Sequence, residues 1–214
     1  MGTKERRERE KLALRDKILN AARELFVEKG YEAVSMRMIA DRIEYSPTAI
    51  YLHFRDKDAL FQELCHGDFM SLAGVFRQIA RVGDPVERLR QVGQLYGQFA
   101  REKPNHYRLM FMTPRPPVDL NELQQAQHGN PEEDAYAFLV QTVRDGCEQG
   151  CFRPELCGSP EQLAQLVWAG VHGVVSLRIA KCHDHWIDWA DEQESVGMMI
   201  DLMFRSIVRD PVPA

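Results

Sequence analysis

The stretch Ser35-Met-Arg-Met-Ile-Ala-Asp-Arg-Ile-Glu-Tyr-Ser-Pro-Thr-Ala-Ile-Tyr-Leu-His-Phe54 decides the reading of the chain. Ser35 is placed to cap a short helix whose buried side is Met36, Ile39, Ala40 and Ile43. After a turn at Glu44 and Tyr45, Ser46 can cap a second short helix. Pro47 then occupies the first helical position, where its missing N–H costs nothing, and the helix is expected to end near Phe54. Two helices of about eight residues around a short turn have the size of a helix-turn-helix. In such a unit the second helix enters the major groove of DNA and the first crosses the backbone. Ile39, Ala40, Ile43, Ile50 and Phe54 are spaced to bury one face of each helix, which leaves Thr48, Ala49, Tyr51 and His53 on the other. Small residues there permit close approach to base edges, and Thr48 offers both a hydroxyl and a methyl to a base.

Working outward, almost every long segment has helical rather than alternating spacing. Leu14, Ile18, Ala21, Ala22, Leu25 and Phe26 form one stripe, so a first helix is expected over roughly 9–29, with Gly30 as its stop and a basic arm ahead of it. Asp56 caps a long helix through Leu60, Phe61, Leu64, Phe69, Leu72 and Phe76, expected to stop near Gly83. A fifth helix follows over 85–103, and then a short apolar piece over 106–112. The proline-rich stretch 113–131 reads as the longest loop. Helices resume near 131–150, 159–182 and 191–209, ahead of a frayed tail over 210–214. The expected fold is all-α: an N-terminal three-helix unit with the helix-turn-helix, then a C-terminal helical bundle, about nine helices in all. Residues 163–180 are apolar almost all round, which calls for burial on more than one side. Paired with the last helix (Ile200, Leu202, Met203, Phe204, Ile207, Val208) and with their symmetry mates, they would form an isologous four-helix interface in a homodimer.

Hydrophobic content of 44% and charged content of 28% are ordinary for a globular protein. The net charge of −5 hides an asymmetry: residues 1–60 hold 13 Lys/Arg against 11 Asp/Glu, and the remainder holds 14 against 21. A basic head on an acidic body suits a nucleic-acid partner at one end. The N-terminus has no apolar run of the signal-peptide kind, and the most apolar stretch, Val167 to Val175, is far short of the ~20 residues needed to span a bilayer. No membrane partner and a cytoplasmic location are therefore expected, with the five cysteines as thiols rather than a disulfide framework. Cys147, Cys151 and Cys157, with His183, His185 and Asp188 further on, raise metal or thiol sensing, but the spacing is not that of a zinc ribbon. Buried small thiols are the alternative, and no metal or other cofactor is assigned. The chain has no phosphate loop, nucleophile elbow or His-Glu-x-x-His, so an enzyme is not expected.

Gly30-Tyr31, Ile39-Ala40, Tyr51-Leu52-His53-Phe54 and Lys57 together resemble the DNA-binding domain of the tetracycline-repressor (TetR) family over roughly residues 10–65. The resemblance implies a DNA-binding domain over 1–58 and a ligand-binding and dimerisation domain over 59–214. It implies that Tyr51, His53 and Lys57 contact phosphates and that Ser35 touches the backbone. Arg37 reaches a base or a phosphate, Ser46 caps the reading helix, and Pro47, Thr48 and Ala49 face base edges. Pro47 is the position least like the family. Trp168-Ala-Gly-Val-His172-Gly173, behind Gly150-x-Phe152, resembles the C-terminal subclass named for a Trp-His-Gly signature; close helix packing at Gly170 and Gly173 is the alternative meaning. By the same resemblance the chain would be a homodimeric regulator of a palindromic operator, most simply a repressor released by a small apolar or amphipathic effector. The apolar candidates for the effector pocket are Tyr96, Phe99, Met110, Phe111, Met112, Tyr136, Leu139 and Trp168, with His172 and Arg108 as polar partners. Plain core is the alternative for each, and a protein of the same fold without an inducer, or one responsive to thiol chemistry or metal, is the alternative function.

Overall fold

The computed structural model describes residues 3–114 and 128–209. Among them the helices are α1 (Thr3–Lys29), α2 (Met36–Arg42), α3 (Pro47–Tyr51), α4 (Lys57–Arg77) and α5 (Pro85–Glu102). They continue as α6 (Pro104–Phe111), α7 (Ala135–Glu148), α8 (Pro160–Lys181) and α9 (Glu192–Ile207), with a 3-10 turn at Pro154–Leu156. No strand forms among the described residues beyond one isolated antiparallel bridge, Phe152 to Val208. The all-α expectation holds.

The chain divides into two compact units, Met1–Asp68 with Asn105–Asp119, and Phe69–Pro104 with Leu120–Ala214. Leu60, Phe61, Leu64 and Cys65, from the first turns of α4, are all buried in the first unit's core, and so is Leu109 of α6. That core is α1 laid against the helix pair: Ile18, Ala22 and Phe26 meet Ile39, Ala40, Ile50 and Phe54. Phe26, Tyr31 and Phe61 stack mutually, the two rings nearest Phe61 lying edge-on at centroid distances of 5.0 and 4.8 Å. Gly30 ends α1 with φ +79, a conformation that an L side chain resists.

The first helix starts at Thr3 rather than near Arg9, so the basic arm is itself helical. Lys, Arg, Glu, Leu and Ala there are strong helix formers, and Arg6 pairs with Glu10 one turn on, at 3.2 Å. Further along, α4 stops at Arg77, short of the expected Gly83. Residues 78–82 instead close tighter turns, with Ile79 N to Phe76 O at 3.0 Å and Val82 N to Ile79 O at 3.0 Å. Of the expected loop over 113–131, residues 115–127 lie outside the described residues, as does the tail from residue 210.

In the second unit α5, α7, α8 and α9 pack on one another. Each of these four helices starts on a capping side chain that accepts from a backbone N–H: Asp84 from Val86, Asp134 from Tyr136, Ser159 from Gln162 and Asp191 from Glu194. Gly93 on α5 allows α9 to approach so closely that a Cβ there would stand 2.9 Å from Ile200 Cδ1. Gly170 likewise faces Met203, whereas Gly173 has nothing within 4 Å, so close packing accounts for the first glycine and not the second. One stripe of α8 is buried (Leu163, Ala164, Val167, Val171, Val175), while Leu166 and Leu177 stay about 60% exposed beside Met198 and Leu202 of α9. At 22 residues, with mean hydropathy reaching 1.4, α8 is long and apolar enough by length and composition to cross a membrane, contrary to the expectation from its nine most apolar residues.

The cysteines also depart from expectation. Cys147, at the end of α7, and Cys157, after the 3-10 turn, form a disulfide, while Cys65, Cys151 and Cys182 are thiols. The chain reverses at Gly150 and returns through the bridge at Phe152, bringing the two Cα atoms to 5.5 Å, a separation a disulfide spans. Sequence spacing alone carried no sign of that reversal. Closing a loop of this length restricts the unfolded chain, so reduction, or Cys147→Ser with Cys157→Ser, should lower stability by about 2–3 kcal/mol. Urea unfolding with and without reductant measures it; identical midpoints would mean that the Phe152–Val208 bridge holds the reversal unaided.

Candidate nucleic-acid interface

The interface is built from two caps and a turn. Ser35 Oγ accepts from Met38 N at 3.3 Å, and Ser46 Oγ accepts from Ala49 N at 3.3 Å. Each hydroxyl keeps its O–H to donate elsewhere. Between the helices Glu44 adopts φ +61, a left-handed conformation costing a non-glycine residue about 1 kcal/mol. The turn is held by Tyr45 N to Ala40 O at 3.0 Å and by Lys17, whose ammonium donates to Ile43 O at 3.2 Å and lies over the Tyr45 ring. Lys17 is a positioning residue that sequence reasoning missed; its place on the stripe of α1 gave no sign of a partner 26 residues on.

The third helix is shorter than expected, ending at Tyr51, with Leu52 to Phe54 completing a turn through Phe54 N to Ile50 O at 3.0 Å. Ile50 and Phe54 are buried; Ser46, Pro47 and Thr48 are exposed, Ala49 is half-buried, and Tyr51 is 53% exposed. Leu52, at 78% exposed, is an outward apolar side chain not foreseen from the spacing. Ser35 and Arg37 on the first helix of the pair are exposed too. The far end of α3 is fastened to α1: Arg15 donates to His53 O at 3.2 Å, covers the Phe54 ring at 4.5 Å and pairs with Glu63 of α4. Burial, with Arg15 and Lys11 nearby, holds the His53 imidazole below its ordinary pKa, and its Nδ1 is buried without a hydrogen-bond partner. Lys57, expected at a phosphate, is also engaged within the protein. Half-buried, it donates to Tyr31 O at 3.0 Å and lies 4.2 Å over the Tyr31 ring, while Tyr31 OH donates to Asp58. It therefore locks the turn after α1 to the start of α4.

The second candidate site, the expected effector pocket, is only partly assembled. Tyr96 OH lies 3.0 Å from the Trp168 Nε1 donor and 2.9 Å from His172 Nδ1, so it accepts from the indole and donates to a neutral imidazole. Burial keeps the His172 pKa low, consistent with that neutral form. Tyr136 joins through its ring, 6.1 Å from Trp168, and its hydroxyl accepts from Gln165 at 2.9 Å. Phe99 and Leu139 are buried in the same unit. Arg108, Met110, Phe111 and Met112 belong instead to the first unit, because α6 packs its Leu109 into the head core. A cavity of about 230 Å³ in the second unit contains none of the expected residues. Its Arg88 is already bound to Thr142, Asp145 and Val82 O, so its polar wall is satisfied from within. The Tyr96–Trp168–His172 cluster has the more suitable chemistry. Among the described residues no group of three or more His, Cys, Asp or Glu could hold a metal ion.

Comparison with known proteins fits this geometry. Residues 18–64 match the family described as bacterial regulatory proteins, tetR family, and residues 89–203 match the tetracyclin repressor-like C-terminal domain. The narrower Trp-His-Gly subclass stays an expectation. The chain is 40% identical over 73 residues to the HTH-type transcriptional regulator UidR of Escherichia coli strain K12, 34% of each protein. It is 35% identical over 98 residues to the HTH-type transcriptional activator FasR of Mycolicibacterium smegmatis, 45% of each. The aligned region thus spans about a third to a half of these curated relatives' length. Among solved structures it is similar in fold to SmeT, the repressor of the Stenotrophomonas maltophilia multidrug efflux pump SmeDEF, at TM-score 0.67 and 23% identity over 94% of this chain and 93% of that one. The SmeT–triclosan complex matches at TM-score 0.68 and 20% identity, over 94% and 100%. With the C-terminal domain alone matched over more than half the chain and the helix-turn-helix region matched ahead of it, the chain belongs to the tetR family of bacterial regulatory proteins.

Proposed function

We propose that the chain is a DNA-binding transcriptional repressor that reads a palindromic operator as a homodimer and is released by a small apolar or amphipathic effector. The observation that carries it is the capped α2–turn–α3 unit, with Ile39, Ile43, Ile50 and Phe54 buried and Pro47, Thr48 and Tyr51 turned outward. In this reading Pro47, Thr48 and Ala49 meet base edges, while Ser35, Arg37, Tyr51 and His53 meet phosphates. Ser46 sets the start of the reading helix. Lys57 has a share in phosphate binding only alongside its contact with Tyr31. No catalytic role is assigned. The effector would bind at Tyr96, Trp168 and His172, and SmeT, a repressor of like fold matched also as its triclosan complex, supports a ligand of that kind. Ligand and operator would oppose each other through α4, one continuous helix shared by both units. The exposed apolar faces of α8 and α9 would meet their counterparts in the dimer, and the protein would work in the cytoplasm, where the DNA is.

A thiol-responsive regulator is the second reading, favoured by the Cys147–Cys157 disulfide with Cys151 a few residues away. Operator affinity measured with and without reductant separates the two; a change of tenfold or more that Cys157→Ser abolishes would favour the thiol reading.

The principal test is binding to the DNA upstream of the protein's own coding sequence. Saturable binding with two protomers per palindrome is expected. Tyr51→Phe should weaken it roughly tenfold, the loss of one hydrogen bond to a charged group, without lowering the melting temperature, because the side chain is half exposed. Lys57→Ala should lower both. Binding that distinguishes no sequence, in wild type and variant alike, would sink the proposal.

The depressed His53 pKa adds a pH signature. The imidazole is neutral in the free protein near pH 7, and a phosphate beside it would favour the charged form. Binding would then take up a proton, so affinity should rise as pH falls from about 8 to about 6, and His53→Asn should flatten the dependence. An unchanged slope in that variant would take His53 out of the interface.

A further inference from the structure

Residues 4–13 of α1 are exposed on every side, so three turns of helix extend from the head with nothing in the protomer covering them. Such turns gain nothing from packing. Their charges are not scattered. Lys4, Arg7 and Lys11 recur at i, i+3 and i+7 and share one face, and the next position on that face is Arg15. Arg15 is the residue fastened to His53 O and over the Phe54 ring, at the far end of α3. Lys11 is close enough to act electrostatically on His53 as well. The inner end of the stripe therefore lies beside the C-terminal end of the reading helix. On the flank away from the stripe Arg6 is paired with Glu10. Among the described residues Lys4, Arg7 and Lys11 make no ion pair, and Glu8 borders them.

We propose that the first turns of α1 form a second DNA contact, in which Lys4, Arg7 and Lys11 follow the phosphates of the duplex next to the segment read by α3. The inference rests on the DNA-binding reading above and adds a surface to it. From Lys4 to Arg15 the stripe is about 16 Å long at 1.5 Å per residue, comparable to about five base-pair steps. Three ammonium or guanidinium groups aimed at a sugar–phosphate backbone add affinity and register and carry no sequence information. The contact depends on the arm being helical, since a frayed arm would not hold three charges on one face. Glu8 lies where it would meet the same phosphates and weakens the contact.

The test compares the full-length protein with its Lys4→Gln, Arg7→Gln, Lys11→Gln variant, in which glutamine keeps the helix propensity. Two duplexes of equal length are used, the upstream segment the protein selects and a scrambled version of it, across a salt series. The slope of log affinity against log salt should fall by about 0.9 for each phosphate no longer neutralised, roughly 3 per protomer. Discrimination between the two duplexes should stay as in the wild type. Glu8→Gln should tighten binding to both duplexes alike. An unchanged slope in the triple variant, with unchanged helix content by circular dichroism, overturns the stripe and leaves the helix-turn-helix reading standing. A wild type that discriminates no sequence removes the DNA-binding reading and this inference with it. Binding of the arm to anionic phosphatidylserine vesicles, with no slope change on DNA, would also overturn the proposal in favour of a membrane partner.

Discussion

A helix of five residues cannot hold itself together in water: nucleation alone outweighs the few bonds it makes. Everything in the first unit serves to hold α3 in place despite that. Ser46 supplies its first turn with an acceptor, Pro47 arrives already in helical φ, and Ile50 and Phe54 are sunk into the core beside Ile18 and Phe26. Arg15 then closes the far end by donating to the His53 carbonyl, in the turn that follows the helix. Because the internal energy of α3 is so small, its position is set almost wholly by α1 and α4. The side chains it turns outward are therefore placed largely by buried residues, Ile18, Phe26, Ile50 and Phe54, which no DNA could reach.

The firmest of those supports is Arg23 with Asp68. Both are buried, joined by paired hydrogen bonds of 3.1 and 2.7 Å, and His106 of α6 stands 3.9 Å from the same carboxylate. A buried ion pair adds little net stability, but losing one partner leaves an uncompensated charge at a cost of about 3–5 kcal/mol. Its value lies in specifying one register of α1 against α4. Asp68 is the last residue of the first unit along α4, and the same helix continues to Arg77 in the second. The pair thus fastens the helix that both units share at the point where one ends.

The helix-turn-helix was legible because its signals are local: capping serines, a proline at the first helical position and apolar spacing are all readable within a turn or two. What escaped the sequence is long-range. Lys17 on the Ile43 carbonyl, Lys57 on Tyr31 and Cys147 with Cys157 depend on how the chain returns to itself, and no spacing rule encodes that. Which unit each of the expected effector residues joins is long-range in the same way. Arg108 to Met112 have the right composition, but Leu109 at their centre is drawn into the head core, and its neighbours follow it. Tyr96, Trp168 and His172, named from the resemblance, come from two helices and supply one another's hydrogen bonds.

The length and hydropathy of α8 fit a bilayer as well as they fit a protein core, so its surroundings have to decide between them. Its buried stripe rests on α5, α7 and α9, and those helices carry charged side chains along their length: Arg88 with Asp145, and Arg90 with Asp201. Charges of that number beside a spanning helix would need a water-filled path or a cost of several kcal/mol each. The exposed side of α8 has the opposite character, with Leu166 and Leu177 bare, and α9 likewise leaves Met198 and Leu202 exposed. A helix pair with one flank on a charged, water-facing bundle and the other bare and apolar is suited to a partner of limited extent, not to lipid on all sides. A second copy offering the same face satisfies that condition, because a two-fold axis brings like against like. In the proposed complex that second copy would also supply the second reading helix, so the bare apolar face of the chain and its reading helix would answer to one symmetry.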